Sequence, residues 1–559
     1  MTKFINNMSY PRCSFMIKDN IIMGKKVGCD GLESMNIGKL ILQTLNSDLN
    51  YVAQVDAETG REITFTEIRN NSVKLAIWMK FEEVYPGDLI GICTDYPVML
   101  YAILACLYIG AVPIVRQYNK CTDLETSCDF ARVNPKILFV NRIQSKECES
   151  TKNSKINNFE MVSSLIVPGS SRFLYKKFSF AYDVLIANID KCYNVNNIEM
   201  FDCTELDDFR LQTAMIVYTR GIEGPAKAVK IPHKAIIAPV IYEVFSVLPG
   251  NVGMLMEHHF LYLNLILTIQ SILMYKRIVI FKEGDMMKFW RAIEIYKVNW
   301  VRLETNMSQA ILNSIDSLTA DISSLKTLIF SGSSMKYCIQ ADLDRLLPET
   351  SVISLYGTTE TGIISFQRFN RKCGSSGKVG RNINFMITDI SGTVLASNIP
   401  GKIWCKCYGM SNTYYDANIV SIQITNDKGW YDTGDIGYYD DDGDIYVINR
   451  AADLVCFKET YYSPTIVENL IKEHPNVDDV AVVEKPNNTN EQVLVAFITE
   501  KTGKHVEKQE IINITTNITW TCMKLHDVLL LDKMWYRLDG NIDRNYLRYK
   551  ANFGDTFIS

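Results

Sequence analysis

Short apolar runs alternate with helix-length stretches from residue 89 to residue 330, and this alternation restricts the chain to a layered α/β architecture. Leu89-Ile90-Gly91-Ile92 precedes a helical stretch at 99–107, and Ile278-Val279-Ile280-Phe281 precedes another at 287–296. Ile137-Leu138-Phe139-Val140 and Ala214-Met215-Ile216-Val217 read as further buried strands. Such alternation implies parallel sheets covered by helices. At 559 residues the chain exceeds one ordinary core, so two or more domains are expected.

Residues 373–420 carry short β-like runs separated by turns, which predicts a smaller β subdomain. Near Arg450 an acidic turn, Asp440-Asp441-Asp442-Gly443-Asp444, leads into the strand-like run Ile445-Tyr446-Val447-Ile448. The turn is not an EF-hand loop, because no glutamate stands at the closing ligand position. Beyond it, 465–474 reads as a helix and 480–483 and 493–498 as strands. The expected division is a large domain, 1–449, and a small α+β domain, 450–559. The polar stretch 146–158 reads as an exposed loop. Residues 260–275 are mostly apolar but include Asn264 and Gln270. They also fall short of the roughly 20 apolar residues a membrane span needs, so a buried helix is expected.

Hydrophobic residues make up 47% and charged residues 22% of the chain, and the net charge of −5 gives no reason to expect nucleic acid as a partner. The 15 cysteines lack zinc spacing, the nearest pair being Cys405 and Cys407, and they read as reduced thiols of an intracellular protein. Residues 1–26 are mixed and polar rather than a secretory signal. The terminal Phe557-Ile558-Ser559 is not a Ser-Lys-Leu-type peroxisomal address, which leaves a cytoplasmic or peroxisomal location open.

Three segments carry chemistry. Tyr356-Gly357-Thr358-Thr359-Glu360-Thr361 and Tyr431-Asp432-Thr433-Gly434-Asp435 each place a carboxylate beside hydroxyls and a glycine turn. Such carboxylates suit a magnesium ion or a ribose diol, and the hydroxyls suit phosphate oxygens. Ahead of them, Tyr218-Thr219-Arg220-Gly221-Ile222-Glu223-Gly224-Pro225-Ala226-Lys227 follows an apolar strand. Two glycines and a following lysine look like a phosphate cradle, although the same string suits a plain Gly-Pro turn.

With all three segments in this order the chain resembles the adenylate-forming (AMP-binding) superfamily. Within it the likeness is to acid–CoA ligases such as 4-coumarate–CoA ligase and to the luciferase-like acyl-CoA synthetases of insects. Further matches are Leu107-Tyr108-Ile109-Gly110-Ala111, Gly377-Lys378-Val379-Gly380, Gly401-Lys402-Ile403-Trp404 and Asn449-Arg450. The resemblance implies that a fatty or aromatic carboxylic acid and ATP give an acyl-adenylate, from which coenzyme A displaces AMP. It also implies that 450–559 is a mobile cap and that the apolar helix after residue 260 lines the acyl pocket. By resemblance, Tyr356 and Gly357 meet the adenine, with Gly332, Ser333 and Ser334 walling the other side. Thr219, Gly221, Gly224 and Lys227 hold phosphate, Thr359 contacts phosphate and Glu360 holds Mg2+. Asp435 takes the ribose hydroxyls, with Arg450 assisting.

Several positions depart from the family pattern. Arg220, Ile222 and Glu223 replace hydroxyl residues of the phosphate loop. Ile222 has no donor, and a carboxylate ~4 Å from phosphate at an effective dielectric near 20 costs on the order of 4 kcal/mol. Asn541 stands where the family lysine meets the reacting carboxylate, a loss of about 3 kcal/mol or roughly a hundredfold in rate. Arg537 and Arg544 are nearby cations. Ala452 and Lys458-Glu459-Thr460 alter the hinge and the thiol tunnel, and Cys456 replaces a lysine. His258-His259 resembles a luciferase pair near the acyl pocket. The chain is therefore expected to be an acid–thiol ligase of reduced activity, or a catalytically impaired nucleotide- or acyl-binding protein of the same fold.

Overall fold

The computed structural model describes residues 15–28, 37–94, 96–116, 133, 135–140, 164–166, 196–205, 213–219, 226–257, 262–282, 285–368, 371–416, 422–457, 460–462, 464–486, 492–516, 525–536 and 542–553. Two large sheets form the body. One orders its strands 378–379, 362–366, 351–358, 327–331, 300–304, 252–256, 277–281, 52–56 and 62–64. Its central strands, from Ser351–Thr358 to Val52–Asp56, are all parallel. The other orders 422–423, 413–415, 228–232, 213–218, 112–115, 89–93, 137–140 and 164–166. Here Val112–Val115 runs parallel to Leu89–Cys93 and to Thr213–Tyr218, whereas Ala228–Pro232 and Thr413–Tyr415 add on antiparallel. The parallel expectation thus holds for the sheet centres and fails at this edge, because a short loop returns the chain at once after Tyr218.

Helices fill the space between these sheets. Val98–Ile109 is buried along nearly its whole length and ends at Gly110, whose φ of 76° is open to glycine at low cost. Tyr262–Leu273 is buried on all sides but Leu263, so the expected internal helix is present. No helix among the described residues is long and apolar enough to cross a membrane.

The β subdomain is larger than 373–420. A six-stranded antiparallel sheet joins Ile383–Thr388, Gly401–Cys407, Tyr431–Tyr439 and Ile445–Arg450 with an N-terminal hairpin, Phe15–Lys18 and Ile21–Gly24. Thr413–Tyr415, inside the expected span, belongs to the second large sheet instead. The acidic turn that precedes Ile445 is closed from within. Lys372 Nζ lies 2.7 Å from Asp440 and 2.6 Å from Asp442, and Lys378 Nζ lies 2.8 Å from Asp444. Lysine ammoniums take the place that a cation would need there.

After Arg450, Thr465–Lys472 packs on a three-stranded sheet, Val477–Pro486, Gln492–Glu500 and Leu525–Leu531. Val467, Ile471, Val480, Val482, Ala496 and Val528 form a core of their own on one face. Arg544 donates to both carboxylate oxygens of Glu468 at 2.5 and 2.9 Å, with both side chains nearly buried. The stretch 146–158 lies outside the described residues.

Candidate active site

The expected nucleotide residues gather where the edge of the first large sheet meets the six-stranded sheet. Tyr356 sits near the end of Ser351–Thr358, beside a bulge at Tyr356/Gly357 that redirects the strand. The next turn, Thr359–Thr361, leads back along Gly362–Phe366. A Cβ on Gly357 would lie 2.1 Å from the Gly362 carbonyl oxygen, so the close return demands glycine there. Thr358 and Thr361 lock the turn, their hydroxyls 3.1 Å apart and each accepting from the other's backbone N–H.

Asp435 approaches from the opposing sheet. It was expected on a turn, but it lies within the strand Tyr431–Tyr439, directly across from Arg450. Gly434, at φ 74°, bends that strand locally, and the Thr433 hydroxyl accepts from Asp435 N–H and donates to the Ile403 carbonyl. The Tyr356 hydroxyl donates to Asp435 Oδ2 at 2.7 Å, and Arg450 Nε lies 3.3 Å from Oδ1. Arg450 also donates to the Thr433 carbonyl at 2.7 Å. Burial and the neighbouring Asp435 charge push the Tyr356 phenol well above its ordinary value, so it stays a donor.

Glu360 is 7% exposed and accepts from the Tyr414 hydroxyl at 2.8 Å. Burial, then the Glu360 charge, raises the Tyr414 phenol. The Lys227 ammonium stands over the Tyr414 ring, 5.3 Å from its centre. This follows from register: Val229 pairs with Tyr414, and Thr219 and Lys227 are joined by two 2.9 Å hydrogen bonds at the base of their loop. Lys227 and Glu360 are thereby brought together through a tyrosine that the motif reading did not include. Tyr414 lies in no motif, so only its pairing with the lysine-bearing strand reveals it.

The Gly332–Ser334 wall follows the strand Thr327–Ser331, with Gly332 at φ 105°. It is held from the neighbouring strand. Arg302 donates to Ser331 Oγ at 2.8 Å, and Thr305 Oγ1 donates to the Ser333 carbonyl at 2.9 Å.

A small cleft, partly open to solvent, lies behind the Glu360 turn. Thr361, Gly362 and Ile363 form one wall, and Ala235, Ile241, Tyr262 and Ile266 face them. Gly221, Gly224, Arg220, Ile222, Glu223, His258, His259, Glu459, Arg537 and Asn541 lie outside the described residues, so the structure places none of them. Arg544, one candidate substitute for the missing lysine, is committed to Glu468. Cys456 lies on the short strand Val455–Phe457.

This donor set suits a nucleotide. A buried carboxylate flanked by a cation accepts a ribose diol, and a second one beside hydroxyls suits a hard divalent cation. Fold and site together define an adenylate-forming enzyme architecture. The family of AMP-binding enzymes matches residues 43–415, and the AMP-binding enzyme C-terminal domain matches 466–534. The protein belongs to the AMP-binding enzyme family. 4-Coumarate–CoA ligase 4 of Arabidopsis thaliana is 22% identical over 524 residues, covering 90% of this chain and 89% of that one. Luciferin 4-monooxygenase of Photuris pensylvanica is 24% identical over 515 residues, covering 89% and 91%. Among solved structures, the luciferase-like enzyme of the nonluminescent Zophobas morio mealworm has a TM-score of 0.65 at 21% identity, covering 77% of this chain and 98% of that one. ATP-bound MatB of Rhodopseudomonas palustris reaches 0.73 at 18% identity, covering 94% and 100%. At such identity these two structures speak for the fold.

Proposed function

We propose that this protein activates a carboxylic acid as its acyl-adenylate and passes the acyl group to a thiol, with the first step slowed by Asn541. The observation that carries the reading is the shared turn. Glu360, taken here as the magnesium carboxylate, accepts from Tyr414, while the residues directly after it, Thr361, Gly362 and Ile363, line the neighbouring cleft. Joining an acid to a phosphate requires both within bonding distance, and one turn supplies that proximity.

In this reading an acid carboxylate oxygen attacks the α-phosphorus of ATP and pyrophosphate leaves. Coenzyme A thiolate then attacks the acyl carbonyl and AMP leaves. Asp435, with Arg450, holds the ribose diol, and Tyr356 borders the adenine with Gly332, Ser333 and Ser334 opposite. Lys227 and Thr359 meet phosphate. Glu360 holds magnesium, which supplies charge neutralisation to the phosphates when bound. The small α+β domain from Arg450 onward acts as a cap that turns between the half-reactions. Cys106, Cys203, Cys338, Cys373, Cys405 and Cys407 carry no disulfide, which supports a place inside the cell.

The test is acid-dependent exchange of labelled pyrophosphate into ATP across a panel of short, aromatic and fatty acids. Exchange with at least one acid supports the reading. No exchange with any, together with retained AMP binding, replaces it by a nucleotide-binding protein without turnover.

A further inference from the structure

Cys405 and Cys407 share one face of the strand Gly401–Cys407, and both are buried. Their pairing with Phe385 and Ile383 is unbroken in register, so the two side chains point the same way. Burial, then a hydrogen bond to Cys407, raises the Cys405 thiol, so the two sulfurs are neighbours. Beyond the strand the chain turns at Gly409 and brings Met410 back. The Met410 sulfur accepts from the Cys407 backbone N–H at 3.4 Å, and Met410 is buried as well. Residues 405–410 thus gather three sulfurs.

The donors decide what such a cluster takes. Thiolate and thioether sulfurs suit soft ions, and Cu(I) accepts them in low coordination numbers. Zinc asks for four ligands, and no group of three or more His, Cys, Asp and Glu among the described residues is placed to hold a metal. A disulfide fits poorly. Two residues apart on a strand, Cα atoms stand roughly 6.6 Å apart, whereas a disulfide usually spans about 5.5–6 Å. A metal ion at roughly 2.3 Å from each sulfur bridges that spacing without bending the strand. The entry path is the cleft behind the Glu360 turn, which is lined by Tyr408 and Gly409, the residues between Cys407 and Met410. We propose that Cys405, Cys407 and Met410 form a binding site for a soft monovalent cation, Cu(I). Both thiols lose their protons to solvent as the metal binds.

The test is competition for copper under anaerobic, reducing conditions. Protein is titrated into the copper(I) complex of bathocuproine disulfonate, whose colour fades as copper moves to the protein. The chain has 15 cysteines, so the difference between native protein and variants is read. Cys405→Val should lack one equivalent of tight uptake. Met410→Leu, which conserves volume, should bind that equivalent about tenfold more weakly. Near-UV circular dichroism and thermal unfolding show whether each variant is folded. Full uptake by folded Cys405→Val overturns the site, and so does an unchanged affinity in Met410→Leu or no uptake by the native protein. Should Cys405→Val fail to fold, X-ray absorption on native protein carrying one equivalent of copper decides. Sulfur ligands alone are expected, and nitrogen or oxygen ligation overturns the assignment.

Discussion

The Tyr356 hydroxyl donates to Asp435 Oδ2 across 2.7 Å, joining two sheets at the point where the proposed function seats a ribose. Arg450 holds the other oxygen of the same carboxylate at 3.3 Å. The carboxylate is thus oriented before any nucleotide arrives, and a ribose hydroxyl competes with the tyrosine for one oxygen. Tyr356→Phe should lower stability by about 1–2 kcal/mol, measured by urea unfolding, while AMP affinity stays level or improves. Asp435→Ala should weaken AMP at least tenfold in calorimetry.

In the proposed function Glu360 serves the metal and not the nucleoside, so the two can be tested apart. Glu360→Gln keeps the hydrogen bond from Tyr414 as an acceptor but loses the charge. AMP affinity should stay within about twofold, while the rise of ATP affinity with magnesium concentration should flatten. Titration of ATP at stepped magnesium levels checks this.

His233 is buried, and burial holds its pKa down at about 4 against an ordinary 6.5. Between those values the unfolded chain takes a proton that the folded one refuses. Stability should therefore fall as pH drops from 6.5 to 4 and level off below, by on the order of 3 kcal/mol from this group. His233→Met should remove that slope from denaturation midpoints measured at pH 7 and at pH 5.

Arg544 neutralises a nearly buried Glu468 in the small domain. Arg544→Met leaves that charge unpaired and should cost about 3 kcal/mol, read by thermal or urea unfolding.

Asn541 and Glu223 are the departures with the largest expected cost. Restoring both, as Asn541→Lys with Glu223→Thr, should raise acid-dependent pyrophosphate exchange about a hundredfold. No rise with any acid would show that the deficit lies elsewhere.

The layered body was legible because buried strands such as Ala214 to Val217 and Ile278 to Phe281 are unbroken apolar runs. The N-terminal hairpin was not, since Phe15–Lys18 is mostly exposed and earns its strand geometry by pairing. Its companion strand Ile21–Gly24 then docks on Asn384 and Phe385, far along the chain. The Tyr356, Glu360 and Asp435 positions were legible as motifs. Tyr414 was not, because its partner is set by strand register. Local spacing does not carry it.

The decisive measurement is calorimetric titration of the purified protein with AMP and with Mg·ATP. The account predicts that both bind, AMP at least as tightly as Mg·ATP, because Asp435 and Tyr356 are in place while the phosphate loop has lost hydroxyl donors. Binding of neither nucleotide would contradict it.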